Sequence, residues 1–194
     1  MKAVLALALV ALPLVAFLAP AQAAEVAGVK IEDAARVAGT DLKLNGAGLR
    51  SKAIFKVYAM GLYLQEKQAT PAAILAAPGP KRAHLHMLRT VDAADFSDAL
   101  ADGVKENHSE AEAKALAPRL AVLIGLMNEI KEAKTGLAID LDWIPGAGTQ
   151  VTIGGQARGK PIQGEDFYRA LLRIWLGDQP VSGDLKKSLL GQGG

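Results

Sequence analysis

Arg50 and Tyr58 are the residues whose types and spacing best suit chemistry in this chain. Arg50 follows Asn45-Gly-Ala-Gly-Leu49, and the long apolar run from Ala53 to Leu64 carries Tyr58. A guanidinium offers a planar fork of donors that matches a carboxylate or an enolate, and a phenol adds one further hydrogen bond. The run is apolar on both alternating sets, which predicts a strand covered on both faces. A cation beside such a strand needs an anionic or strongly polar partner, because an unpaired buried charge is expensive. Asn45 to Leu64 contains no acidic residue, which leaves that place open to a ligand. The plainer alternatives are a rim salt bridge for Arg50 and a buried aromatic, bonded to a backbone carbonyl, for Tyr58.

Other reactive residue types are less well arranged. His84 and His86 point to one side of a strand, but two imidazoles make a weak metal site unless further ligands converge. The third histidine, His108, falls at a polar helix end, so no metal is expected. Asp140 and Asp142 alternate outward from a strand, and that pattern reads as too exposed for a glycosidase pair. Ser97, Ser109 and Ser182 lack a nucleophile-elbow setting, and no phosphate-cradling glycine loop precedes a helix. The absence of cysteine excludes thiol and thiolate-metal chemistry.

The 194 residues hold 22 basic and 20 acidic side chains, scattered rather than clustered. Such a balance argues against a nucleic-acid partner. Residues 1–23 read as a signal peptide: Lys2, an apolar run from Ala3 to Leu18, then Ala21-Gln-Ala23 as a small-x-small cleavage signature. The expected mature domain is residues 24–194, periplasmic or secreted, with no permanent membrane span after cleavage. It is long enough for one domain with a substantial core.

Periodicity supplies the elements. Glu25 to Ile31, Leu42 to Leu49, Ala53 to Leu64 and Lys81 to Val91 read as strands, and the glycines before Arg50 allow a bulge or a close backbone approach. Thr70-Pro71 opens a short helix, and Asp92 caps one running to about Asn107. Ser109-Glu-Ala-Glu112 is a capping box. The helix after it has an apolar stripe of Ala113, Leu116, Leu120, Leu123, Ile124, Met127 and Ile130, and Pro118 predicts a kink, or two helices meeting, near Ala117. Strands at Leu137 to Ile144, Thr149 to Ile153 and Gln156 to Lys160 are joined by glycine turns. A helix carrying Phe167, Ala170, Leu171, Ile174 and Trp175 follows, then a last short one over Leu185 to Leu190. The order predicts an α+β domain, a large antiparallel sheet with a layer of helices on one face.

Gly46-Ala-Gly-Leu-Arg50, with Lys56-Val-Tyr-Ala-Met-Gly-Leu-Tyr-Leu64, resembles the chalcone isomerase superfamily. Phe167-Tyr-Arg-Ala-Leu-Leu-Arg-Ile-Trp-Leu-Gly177, then Pro180-Val-Ser182 and Leu185 to Gly191, is similar to that family's closing helix motif. The resemblance implies a ligand cleft between sheet and helices, and no cofactor. In it Arg50 matches the cleft arginine, which in the enzymes steadies substrate and enolate charge. Tyr58 stands where plant enzymes carry a catalytic threonine and the fatty-acid-binding branch carries a tyrosine. Phe96 stands for the second-site tyrosine, Gly103 for an asparagine two turns later, and Gln163 for a specificity threonine or serine.

The resemblance thus implies a non-catalytic binder of a fatty acid or similar apolar carboxylate, held by Arg50 and Tyr58 with Phe96 and Gln163 in the cleft. An alternative is an isomerase, an intramolecular lyase acting on a chalcone-like or other enone substrate, with Arg50 as its catalytic residue. A third reading is a structural or partner-binding protein with a vestigial cleft.

Overall fold

The computed structural model describes residues 23–193, so the expected signal peptide lies outside the described residues apart from Ala23. Where alternation over Glu25 to Ile31 predicts one strand, the chain makes a hairpin of β1 (Ala24–Val26) and β2 (Val29–Ile31). Ala27 and Gly28 both take positive φ, 52° and 85°, the geometry of a tight turn that suits strand twist. Next come β3 (Ala34–Val37), which the pattern did not mark, β4 (Thr40–Lys52), longer at both ends than expected, and β5 (Phe55–Leu64). Helix α1 (Pro71–Ala76) is capped by Thr70, whose hydroxyl accepts from the Ala73 amide. The strand expected over Lys81 to Val91 divides into β6 (Lys81–Met87) and β7 (Val91–Asp92).

Helix α2 (Ala93–Glu106) starts after Asp92, and α3 (Glu110–Asn128) starts at the expected capping box of Ser109 and Glu112. Pro118 does not divide α3, which runs through it as one helix. Pro118 and Lys114 are both exposed, so the carbonyl that loses its donor faces solvent. After β8 (Glu132–Ala133), β9 (Ala138–Ile144), β10 (Gly148–Ile153) and β11 (Gln156–Ile162), the chain closes with α4 (Glu165–Leu176) and α5 (Gly183–Leu189).

Seven strands form one sheet in the order β11-β10-β9-β6-β5-β4-β3, every neighbouring pair antiparallel. The larger core lies between one face of this sheet and the helices, and joins Tyr58, Met60, Leu62 and Leu64 of β5 to Phe167, Leu171 and Trp175 of α4. The smaller core, on the other face, draws its buried residues from strands: Ile31, Val37, Leu42, Ala59 and Tyr63. Helices therefore occupy one face, as the α+β reading expects, and both faces of β5 are covered.

Two bulges set which side chains face inward. Leu44 pairs with Tyr63 and Gly46 with Leu62, so Asn45 is the extra residue. Its side chain donates to the carbonyl of Leu189 at 2.7 Å and fixes the end of α5 against β4. Beyond it Gly46 pairs with Leu62, Gly48 with Met60 and Arg50 with Tyr58, which puts two glycines and then Arg50 in one inward row. The glycines are there because α5 lies directly on them: a Cβ on Gly48 would come 2.6 Å from Cβ of Ser188, and one on Gly46 would overlap the Ser188 carbonyl. Arg50 is the first side chain of the row, past the part that α5 covers.

Gly46→Ala is expected to lift α5 from β4, because the colliding atom is backbone and cannot swing aside. Overpacking of this kind should lower stability by about 2 kcal/mol or more in denaturant unfolding. An unchanged midpoint would show that α5 does not rest on this glycine row.

Candidate functional site

Arg50, Tyr58 and Phe96 line one cavity of about 560 Å³ between sheet and helices. That volume falls in the range of about 300–1,000 Å³ usual for small-molecule sites. The sheet wall is Arg50, Lys52, Phe55, Val57 and Tyr58; the loop after β6 adds Arg89 and Thr90. Phe96 and Leu100 of α2, Ile174 and Trp175 of α4, and Val181 give the apolar lining opposite. A second bulge shapes the sheet wall. Arg50 pairs with Tyr58 but Ser51 with Lys56, so Val57 is extra and joins Tyr58 in facing the cavity. Simple alternation groups Lys56 with Tyr58, Met60 and Leu62; the bulge sends it to the other side with Ser51.

Tyr58 is 7% exposed, and its hydroxyl oxygen accepts from the indole Nε1 of Trp175 at 2.9 Å. Accepting that bond leaves the phenolic proton free to be donated. Burial raises the Tyr58 pKa, while the Trp175 bond and the nearby Arg50 charge pull the other way. Arg50 is half-buried and donates through Nη1 to the carbonyl of Ser51. Only part of its five-donor fork is used by that bond. Among the described residues no carboxylate forms an ion pair with Arg50, Lys52 or Arg89.

The cavity is electrically two-sided. Asp92, Asp95, Asp98 and Asp102, exposed at the start of α2 and along it, line it opposite the basic residues of the sheet and loop. Their spacing of three and four residues puts them on one helix face. A guest with a single negative end is therefore favoured at the Arg50 end and repelled from α2.

Gln163 does not join this group. It is exposed, is absent from the cavity lining, and donates through Nε2 to the carbonyl of Ala147 at 2.5 Å, tying the segment between β11 and α4 to the β9–β10 turn. Its placement in the cleft is corrected on that ground. Gly103 is a packing position: a Cβ there would come 2.8 Å from Cγ2 of Ile174. Asp140 and Asp142 are also less exposed than alternation predicts. Arg82 holds Asp142 through two bonds of 2.7 and 2.6 Å, and the Asp140 carboxylate lies 2.7 Å from Nδ1 of His84; Asp142 is 5% exposed. No three histidine, aspartate or glutamate side chains converge for a metal among the described residues.

Trp175, Arg89 and Thr90 are among the cavity residues that reasoning from sequence missed. Trp175 belongs to an amphipathic stripe, and such stripes signal core packing before they signal a site. Arg89 and Thr90 sit in a loop whose path no periodicity describes.

Residues 23–191 match the family described as chalcone isomerase-like. The chain belongs to that family. Its structure is similar to that of a fatty-acid binding protein of Arabidopsis thaliana, with a TM-score of 0.65 over 84% of this chain and 92% of that one. Identity between the two is 17%, so the likeness speaks for the shared fold. No curated protein matches the sequence. Among the described residues of this family member, no helix is long and apolar enough to cross a membrane.

Burial raises the pKa of Tyr58, Tyr63 and Tyr168, that of Tyr63 to about 12. Above about pH 10 the unfolded chain loses tyrosine protons that the folded chain keeps, so stability should fall as pH rises through that point. Urea midpoints taken across this alkaline range, with tyrosinate absorbance alongside, check it. A flat or rising midpoint would contradict the burial of these hydroxyls.

Proposed function

We propose that this chalcone isomerase-like protein is an exported, non-catalytic binder of a fatty acid or a similar apolar carboxylate. The observation that carries the reading is the pairing of Arg50 with Tyr58 at one end of the cavity. Arg50 has no carboxylate partner among the described residues, and Tyr58 has a proton left to give. A carboxylate satisfies both at once, accepting two parallel bonds from the guanidinium and one from the phenol. Phe96, Leu100, Ile174 and Val181 bury the apolar body, at about 25 cal/mol for each Å² removed from water. The fatty-acid binding named for the Arabidopsis protein of similar fold supports the same assignment.

The isomerase reading has one observation in its favour, the hydroxyl of Thr90 in the same cavity as Arg50. Arg50 would there stabilise the charge of a developing enolate. Against it stands Phe96, which brings no hydroxyl to the wall facing Tyr58. Turnover of a chalcone that disappears in Arg50→Ala would replace the binding assignment with this one.

Arg50→Ala should weaken binding of a long-chain fatty acid by roughly 10- to 100-fold, and Tyr58→Phe by roughly three- to tenfold, as expected for charged and neutral hydrogen bonds. Calorimetry with the acid and with the alcohol of equal chain length reads this directly. The wild type should prefer the acid, and Arg50→Ala should lose that preference. Equal affinity of both proteins for the acid would remove the basis of the assignment.

Export makes a separate forecast. Protein recovered from the periplasm or the medium should have an intact mass that begins at Ala24. A mass that retains Met1 to Ala23 would rule out cleavage at this site.

A further inference from the structure

Three large apolar side chains are exposed among the described residues, and two of them are adjacent. Ile54, 88% exposed, and Phe55, 53% exposed, form the tip of the β4–β5 hairpin; the third, Val122, stands alone on α3. Lys52 and Lys56 flank the tip and are exposed, and the Arg89 guanidinium lies 4.6 Å from the centre of the Phe55 ring. None of these three cations has a carboxylate partner among the described residues. Lys52, Phe55 and Arg89 also line the cavity, so the tip is one rim of its mouth.

We propose that this tip docks the protein on an anionic lipid bilayer, with Ile54 and Phe55 entering the boundary between headgroups and acyl chains. Lys52, Lys56 and Arg89 then meet lipid phosphates, and the mouth of the cavity faces the membrane. The combination of apolar points with unpaired cations around them is what an interfacial anchor requires. A protein partner or a second copy of the chain fits less well. Two side chains at a turn offer far less than the roughly 800 Å² per partner that a stable interface buries. The aspartates of α2 on the opposite rim are repelled by the same lipids, which turns the hairpin rather than the helix toward the surface. The value of this orientation for loading a guest rests on the fatty-acid assignment above; the docking itself does not.

The test uses co-sedimentation with vesicles of phosphatidylcholine alone and of phosphatidylcholine mixed with phosphatidylglycerol. Wild type is compared with Ile54→Asp and Lys56→Glu, neither of which lines the cavity, and with Val122→Asp as the control. Any N-terminal apolar segment is common to all four proteins and contributes equally. Binding to the anionic vesicles should exceed binding to the neutral ones, weaken with salt, and drop by about tenfold or more in Ile54→Asp, in line with a buried apolar side chain replaced by a charge. Val122→Asp should bind as wild type does. Equal sedimentation of wild type and Ile54→Asp overturns the proposal, as does indifference to phosphatidylglycerol, or a wild-type dimer that Ile54→Asp dissolves without changing vesicle binding. Calorimetry with a fatty acid free in solution separates the two assignments. Retained affinity in Ile54→Asp with lost vesicle binding supports docking of a carrier. Vesicle binding that depends on Ile54, with no fatty-acid affinity in any variant, upholds docking and removes the cargo.

Discussion

A guanidinium placed inside a fold needs an opposite charge or several good acceptors, and the surroundings of Arg50 supply little of either. The Ser51 carbonyl takes one bond, and no carboxylate pairs with it among the described residues. Everything around it follows from keeping that cation where it is. Gly46 and Gly48 bring α5 onto β4 and end the covered part of the row one residue short of Arg50. The bulge at Asn45 sets the phase of the row, and the Asn45 side chain holds the end of α5. Without the bulge, every residue from Gly46 to Arg50 would face the other way.

The hydroxyl beside the cation is positioned from the helix side. Trp175 comes from α4, and its indole bond to Tyr58 spans 117 positions of sequence. The bond does two things at once. It satisfies a buried N–H that would otherwise lack an acceptor, and it orients the phenol so that its proton points away from the indole. A phenol is protonated at neutral pH and burial raises its pKa further, so it acts as a donor to an anion. The cavity thus presents a cation and a neutral donor at one end, an apolar lining, and aspartates on the facing helix.

How much was legible depended on how local each signal was. The capping box at Ser109, the Thr70 cap and the Gly154-Gly155 turn are satisfied within a few residues, and the structure has all three where the pattern puts them. Alternation failed where a bulge intervened, as at Val57, which reverses the face of Lys56. It failed again where charge was neutralised from afar. Asp142 reads as a solvent residue but is closed off by Arg82, 60 positions away. Lys81 begins a strand and is nonetheless 1% exposed, with Glu165 of α4 at 3.7 Å. Gln163 went astray for a related reason. Its assignment rested on matching position alone, and its amide is engaged by the Ala147 carbonyl.

By itself the sequence determined the α+β class, the doubly covered strand β5, and the position of an arginine after a glycine pair and of a tyrosine on the strand that follows. Each of these is written in the spacing of apolar and glycine residues, because side-chain direction repeats every two residues in a strand and every 3.6 or so in a helix. Tertiary structure alone decided that Arg50 and Tyr58 share one cavity with Trp175 and Arg89, that aspartates face them, and that Ile54 and Phe55 stand at its mouth. Those facts depend on where distant segments meet, and a single unpaired residue in a ladder is enough to exchange what faces the guest for what faces water.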